Sequence, residues 1–207
     1  MYSAPDVSII ITNYNYGKYI SRAIRSCLNQ KFVNHEVIVV DDCSTDDSLK
    51  TIKCFSDQIK VVKTKSNAGV AAAANLGVQH SRGQFFIRVD ADDYVNSDMC
   101  HVMKIYLEGN HDAFCVSCDY LMVDNYENTI ERRYAEQQNI SCGIMYRKDL
   151  FLQLGGYNDK MRHREEEELR KRIGQDYNIH HLKIPFYRYR IHNNNKTKQP
   201  EYRTWKV

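Results

Sequence analysis

Four short apolar runs begin near residues 7, 36, 59 and 85, with helix-length segments between them. That repeat constrains the fold more than any other feature. Strand–helix–strand units at such spacing set strands side by side in parallel, with helices on the sheet faces. Val7-Ser8-Ile9-Ile10-Ile11-Thr12 is β-branched and almost wholly apolar, the pattern of a strand covered on both sides. The second run, Glu36–Val40, ends in Asp41-Asp42, and the fourth, Phe85–Val89, ends in Asp90-Ala91-Asp92-Asp93. Ile20, Ala23, Ile24, Cys27 and Leu28 recur at helical spacing after the first strand. Ser44 or Thr45 is placed to cap a helix after the second. Val70 to Val78 is alanine-rich and helical, and Ser81-Arg82-Gly83 closes it.

In open α/β sheets ligands bind beyond the carboxyl ends of the strands. Those ends carry Thr12, Tyr14, Asp42 and Asp90 along one rim. Tyr14 can stack on a base, and a carboxylate at Asp42 can accept a ring N–H from it. Asp90 and Asp92 are two apart, so on a continuing strand they point the same way. Two hard oxygen ligands there suit Mg²⁺ or Mn²⁺ shared with substrate phosphates. An isolated Asp-x-Asp is more often a strand followed by a polar turn, so the surrounding motifs must decide. No G-x-G-x-x-G follows the first strand and no G-x-x-x-x-G-K-[ST] occurs, which excludes dinucleotide oxidoreductases and P-loop enzymes.

With 207 residues, 43% hydrophobic and 27% charged, the chain can bury one good core. A net charge of +3 is too small an excess to indicate a nucleic-acid partner. No apolar run approaches the ~18 residues of a membrane span, and the N-terminus does not read as a signal peptide. Seven scattered cysteines, an odd number, point to reduced thiols in a cytoplasmic protein. Cys115 and Cys118 form a lone C-x-x-C, which reads as two buried thiols in a strand.

In the second half, Ser97–Leu107 reads as a helix, Asp112–Val123 and Tyr126–Tyr134 as strands joined at Asp124-Asn125. Ile140–Tyr146 leads into a helix at about 147–154, which Gly155-Gly156 stops. Arg164–Ile173 forms a further helix, and Leu169 and Ile173 define its inward stripe. At 100° per residue Glu166 lies nearest that stripe and Glu165 next, while Glu167 and Glu168 point away. The alternation from Phe186 to Ile191 predicts a closing strand, and the chain is polar from Lys196 onward.

Val7–Asn15, Val40–Asp46, Asn67-Ala68-Gly69 through Asn75-Leu76-Gly77, Arg82-Gly83 and Val89–Asp93 occur in the order and spacing of a known family. The chain resembles family 2 glycosyltransferases of the GT-A fold over about residues 6 to 195. The resemblance implies a single α/β domain over 1–207 with a mostly parallel central sheet flanked by helices. Residues 6–95 would form the nucleotide-sugar half, 96–195 the acceptor half and 196–207 a tail. It implies that Thr12, Tyr14 and Asp42 hold the nucleobase and that Asp90 contacts the ribose, with Asn67 and Ala91 counted among the nucleotide-binding residues. Asp92 would bind a Mn²⁺ or Mg²⁺ ion bridging the diphosphate, completed by His192 and with Asp93 counted as a further ligand. Relatives carry an acidic pair with the catalytic base, matching Glu165 and Glu166 here and selecting Glu166, where Asp is commoner. Many relatives also carry Arg where this chain has Ala74, and Arg88 is a candidate for the compensating charge.

The activity so implied is inverting transfer of a sugar, most often from a UDP-sugar, to a hydroxyl of a glycan or lipid-linked acceptor in cell-surface polysaccharide synthesis. Such an acceptor implies peripheral association with the cytoplasmic face of the membrane. A sugar nucleotidyltransferase would need a glycine-rich signature with Arg and Lys after the first strand, where Thr12-Asn13-Tyr14-Asn15 stands. A non-catalytic nucleotide-sugar-binding protein stays open on Ala74, the Glu in place of Asp and the short C-terminus.

Overall fold

The computed structural model describes residues 4–195, and the polar tail expected from Lys196 lies outside them. The first half is the parallel sheet that the repeat predicts. β1 (Val7–Asn13) lies between β2 (His35–Asp41) and β4 (Phe85–Asp90), with β3 (Lys60–Lys63) outside β2. Val7 pairs with His35 and Phe85, and Thr12 pairs with Val40 and Asp90. That register brings Thr12 and Asp90 to the same edge, with Asp42 one residue beyond the Asn13–Asp41 pair.

Strand alternation divides the buried side chains between two cores. Val7, Ile9 and Ile11 of β1, Val37 and Val39 of β2, and Phe85, Ile87 and Val89 of β4 pack with Ile20, Ile24 and Cys27 of α1 (Ile20–Leu28). The opposite face sends Ile10, Ile38, Val40 and Phe86 against Ala71, Ala74 and Val78 of α3 (Val70–Gln79). The helix packs tightly at Gly77, where a Cβ would lie 2.4 Å from Ile10 Cγ2. Between these units α2 (Ser48–Lys53) starts later than the expected cap. Ser44 Oγ instead accepts from Asn15 N at 3.0 Å, and Ser48 N donates to Asp46 Oδ1 at 2.9 Å.

The second half comprises β5 (Tyr94–Val95), α4 (Met99–Gly109), β6 (Ala113–Val123), β7 (Thr129–Arg133), β8 (Ile144–Arg147), α5 (Lys148–Gln153), α6 (Glu165–Ile173) and β9 (Asn178–Arg190). β8, which has no strand assignment from sequence, wedges antiparallel between β4 and β6 and joins both halves into one sheet, ordered β3-β2-β1-β4-β8-β6-β9-β5. β9 begins at Asn178, eight residues before the expected Phe186. Pro185 argues against strand there, but it sits opposite Asp119 where the pairing with β6 is irregular, so its missing N–H is tolerated. β7 starts three residues late because Asp124 Oδ1 accepts from Tyr126 N and Asn128 N and holds 124–128 in a turn. Cys115 and Cys118 point into opposite cores as separate buried thiols, with no disulfide to either.

Candidate active site

The carboxyl ends of β1, β2 and β4 open into a cavity of about 440 Å³, within the range of small-molecule sites. Thr12, Tyr14, Asp42, Arg88, Asp90, Ala91, Asp92, Glu165 and Glu166 all line it. Three sequence-predicted residues are absent from the lining: Asn67, Asp93 and His192.

Asp42 is only 4% exposed. Its Oδ1 accepts from Thr64 Oγ1 and Ala68 N, and its Oδ2 accepts from Gly69 N, all at 2.8 Å. The carboxylate therefore fixes the Asn67–Gly69 turn at the start of α3, and Oδ2, accepting one bond, keeps a further lone pair. Gly69 adopts φ 93°, a left-handed conformation suited to glycine. Asn67 is exposed, and both its backbone and side-chain oxygens accept from Arg162 Nη1.

At the end of β4 the three carboxylates diverge. Asp90 is partly exposed and lies 3.4 Å from Arg88 Nε. Asp92 Oδ2 meets His192 Nε2 at 2.9 Å, and the Tyr19 ring stacks on that imidazole at 4.6 Å. Asp93 turns inward, where Oδ1 accepts from Arg190 N at 2.8 Å and Oδ2 from the Tyr187 hydroxyl at 2.7 Å. Tyr187 also accepts from Asp90 N at 3.1 Å, so β9 is tied directly to the acidic loop. Burial, then the charges of Asp92 and Asp90, push the Asp93 carboxyl well above its ordinary range. Ligand-type atoms of Asp90, Asp93 and Cys142 lie within 4.8 Å of one another.

The start of α6 also lines the cavity. Glu165 and Glu166 turn inward as the helical phase predicts, at 2% and 3% exposure, and Glu167 faces solvent, whereas Glu168, expected to point away, is half-buried beside Arg172. Glu165 forms a buried ion pair with Arg88 Nη1. Burial raises the Glu165 carboxyl, but the Arg88 charge and hydrogen bond outweigh it and hold the group below its ordinary value. Glu166 Oε1 accepts from Arg170 Nε at 2.8 Å, and Oε2 accepts from the Tyr146 hydroxyl. Here burial wins over Arg170 and Tyr146, and the carboxyl is raised. The two neighbouring carboxyls are thus displaced in opposite directions by their surroundings. Tyr146, Arg170 and Tyr187 carry no motif signal, and only their packing reveals them.

A family model described as glycosyl transferase family 2 matches residues 8–164. The chain belongs to glycosyltransferase family 2. A poly(ribitol-phosphate) β-N-acetylglucosaminyltransferase, TarS of Staphylococcus aureus, is 32% identical over 109 residues, covering 50% of this chain and 19% of that protein. A chondroitin synthase of Pasteurella multocida is 40% identical over 96 residues, covering 45% of this chain and 10% of that protein. The chain spans 44%, 35% and 47% of the length of three further glycosyltransferase relatives, two from Haemophilus influenzae and one from Bacillus subtilis. Among solved structures, TarS residues 1–349 with UDP-GlcNAc superpose with a TM-score of 0.79 at 22% identity, over 98% of this chain and 62% of that one. A mannosyltransferase of Pyrobaculum calidifontis, with GDP-Man and Mn²⁺, gives 0.75 at 20% identity, over 93% and 59%. This family 2 chain therefore shares their GT-A fold. Among the described residues no helix is long and apolar enough to cross a membrane.

Proposed function

We propose that this chain is an inverting, metal-dependent glycosyltransferase that moves a sugar from a UDP-sugar to a hydroxyl of a glycan or lipid-linked acceptor. The observation that carries this reading is one cavity lined by Asp90, Asp92 and the raised Glu166 together. Tyr14 and the remaining lone pair of Asp42 would take the base, and Asp90 the ribose. Carboxylate beside imidazole is a donor set suited to Mn²⁺, and Asp92 and His192 would hold the ion. Such an ion, when bound, stabilises negative charge on a diphosphate leaving group. Asp93, with both oxygens engaged by Tyr187 and Arg190, supports the loop from behind.

Glu166 would accept the proton of the acceptor hydroxyl as it attacks the anomeric carbon. A carboxyl raised by burial is matched to that task, whereas Glu165 is committed to Arg88. One base opposite the leaving group corresponds to in-line displacement and inversion. UDP is the nucleotide in the TarS complex and GDP in the mannosyltransferase complex, so both belong in the test. We place the reaction in cell-surface polysaccharide synthesis at the cytoplasmic membrane face.

The test is nucleoside diphosphate release from UDP-Glc, UDP-Gal, UDP-GlcNAc and GDP-Man with Mn²⁺, with and without EDTA, on the natural chain and on Glu166→Gln. EDTA-sensitive turnover of one donor, lost by about 10²-fold or more in the variant, is expected for a general base. Metal-dependent UDP binding without turnover of any donor, across lipid-linked and glycan acceptors, would leave a binding protein instead.

A further inference from the structure

We infer that Tyr16 is a leaving-group-binding residue, its hydroxyl donating to an oxygen of the donor's diphosphate. The inference rests on the glycosyltransferase reading above. Tyr16 lies in the turn between β1 and α1, where its backbone oxygen accepts from Tyr19 N at 2.8 Å and Ile20 N at 3.0 Å. Its ring meets the His192 imidazole edge-on at 5.8 Å, and Tyr19, 6.3 Å away, stacks on that same imidazole. The ring also packs against the core that α1 shares with β1. All of this fixes the ring, and a phenylalanine would satisfy every one of these contacts.

The hydroxyl is what packing leaves unexplained. Tyrosine hydroxyls taken out of bulk water usually find a partner. Among the described residues that of Tyr16 has none, yet it is not sealed in the interior, so it stays open in the cavity that Tyr16 lines. The nearby carboxylates are turned to other groups: Asp92 Oδ2 meets His192, and Asp93 is held by Arg190 and Tyr187. Burial, then the charges of Asp92, Asp90 and Asp93, raise the phenol, which keeps it a donor. A donor beside the Asp92–His192 pair is placed for the ligand group assigned to that pair, the diphosphate, rather than for the base at Asp42. As the bond from the anomeric carbon to the β-phosphate oxygen breaks, its electron pair stays on that oxygen. Tyr16 would stabilise the charge so formed through a hydrogen bond, without transferring its proton, while the acceptor's proton passes to Glu166.

Tyr16→Phe removes the hydroxyl and keeps the ring, so thermal stability should match the natural chain. Isothermal titration in Mn²⁺ would compare UDP with uridine, the latter at millimolar concentration. UDP affinity is expected to fall by about 3- to 100-fold, the range of one hydrogen bond to a charged group, with uridine affinity within about 2-fold of the natural chain. Turnover of the preferred donor should fall by about 10-fold or more in kcat. Unchanged UDP affinity and kcat would mean that the hydroxyl is idle and would overturn the inference. Equal weakening of UDP and uridine would also overturn it, placing Tyr16 at the base or ribose. A variant in which Mn²⁺ no longer raises Tm would overturn it as well, assigning the hydroxyl to the ion site. A natural chain that binds neither UDP nor any UDP-sugar would instead refute the underlying glycosyltransferase reading.

Discussion

His192 Nε2 lies 2.9 Å from Asp92 Oδ2, although 100 residues separate the two in the chain. Both are buried, and the contact fastens the segment after β9 to the loop after β4. An ion bound there stabilises the folded chain by mass action, about 2.7 kcal/mol at a hundredfold excess over Kd. Mn²⁺ added to EDTA-treated protein should thus raise Tm by several degrees, and Asp92→Asn or His192→Ala should abolish the rise. Asp93→Ala should behave differently. It strands the Tyr187 hydroxyl and Arg190 N, costing about 1–3 kcal/mol with or without Mn²⁺. A full Mn²⁺ response in Asp92→Asn would remove Asp92 from the site.

Much of this arrangement is legible in the chain because its signals are local. A strand that breaks into acid marks its own carboxyl end, as Val89-Asp90 does, and Leu169 and Ile173 fix which glutamates of α6 turn inward. What is not legible depends on partners far away in sequence. Ile144–Arg147 is too short to announce a strand and becomes one because β4 and β6 flank it. Asn178–Lys183 carries no strand periodicity and is held by the β6 backbone. Arg88 inside an apolar run looks like an exception until Glu165 is placed against it.

The opposite displacement of the two glutamates gives a pH test of which one is the base. Activity requires the ionised base, so kcat/KM should rise with pH through that carboxyl's pKa. If Glu166 acts, the acid limb lies above the ordinary glutamate value of 4.5, because burial raises it. If Glu165 acts, the limb lies below 4.5, because Arg88 outweighs burial. Arg170→Gln removes a charge that favours ionised Glu166 and should shift the limb further upward. A limb that ignores Arg170→Gln would exclude Glu166.

The Arg88–Glu165 pair should show strong non-additivity in stability. Breaking a buried pair from one side leaves an uncompensated charge and costs about 3–5 kcal/mol, whereas replacing both partners with apolar groups is often near neutral. Arg88→Met alone should therefore be much less stable than Arg88→Met with Glu165→Met in urea denaturation. The pair also sets an acid dependence. Glu165 has a lowered folded pKa, so its stabilisation is complete above 4.5 and is lost as pH falls through the lowered value. The double variant should lack that loss.

Asn75 is the point where α3 grips the segment leading to α6. Its Oδ1 accepts from Tyr157 N at 3.0 Å, and its Nδ2 donates to Tyr157 O at 2.7 Å and to Asp159 Oδ1 at 2.5 Å. Gly156 makes the approach feasible, since it sits at φ 69° and a Cβ there would lie 2.8 Å from Asn75 Oδ1. Tyr157, so anchored, packs against Tyr146 and Phe151 behind Glu166. Asn75→Ala leaves the Tyr157 backbone partly unsatisfied and should cost about 1–3 kcal/mol. Because Asp42 fixes the Asn67–Gly69 turn without any contact to Asn75, UDP affinity should change little while kcat falls. Asn75→Asp should cost more than Asn75→Ala, as it loses both donations and sets a second carboxylate beside Asp159. An Asn75→Ala protein within about 0.5 kcal/mol of the natural chain, the range of ordinary surface changes, would mean that the segment is held elsewhere.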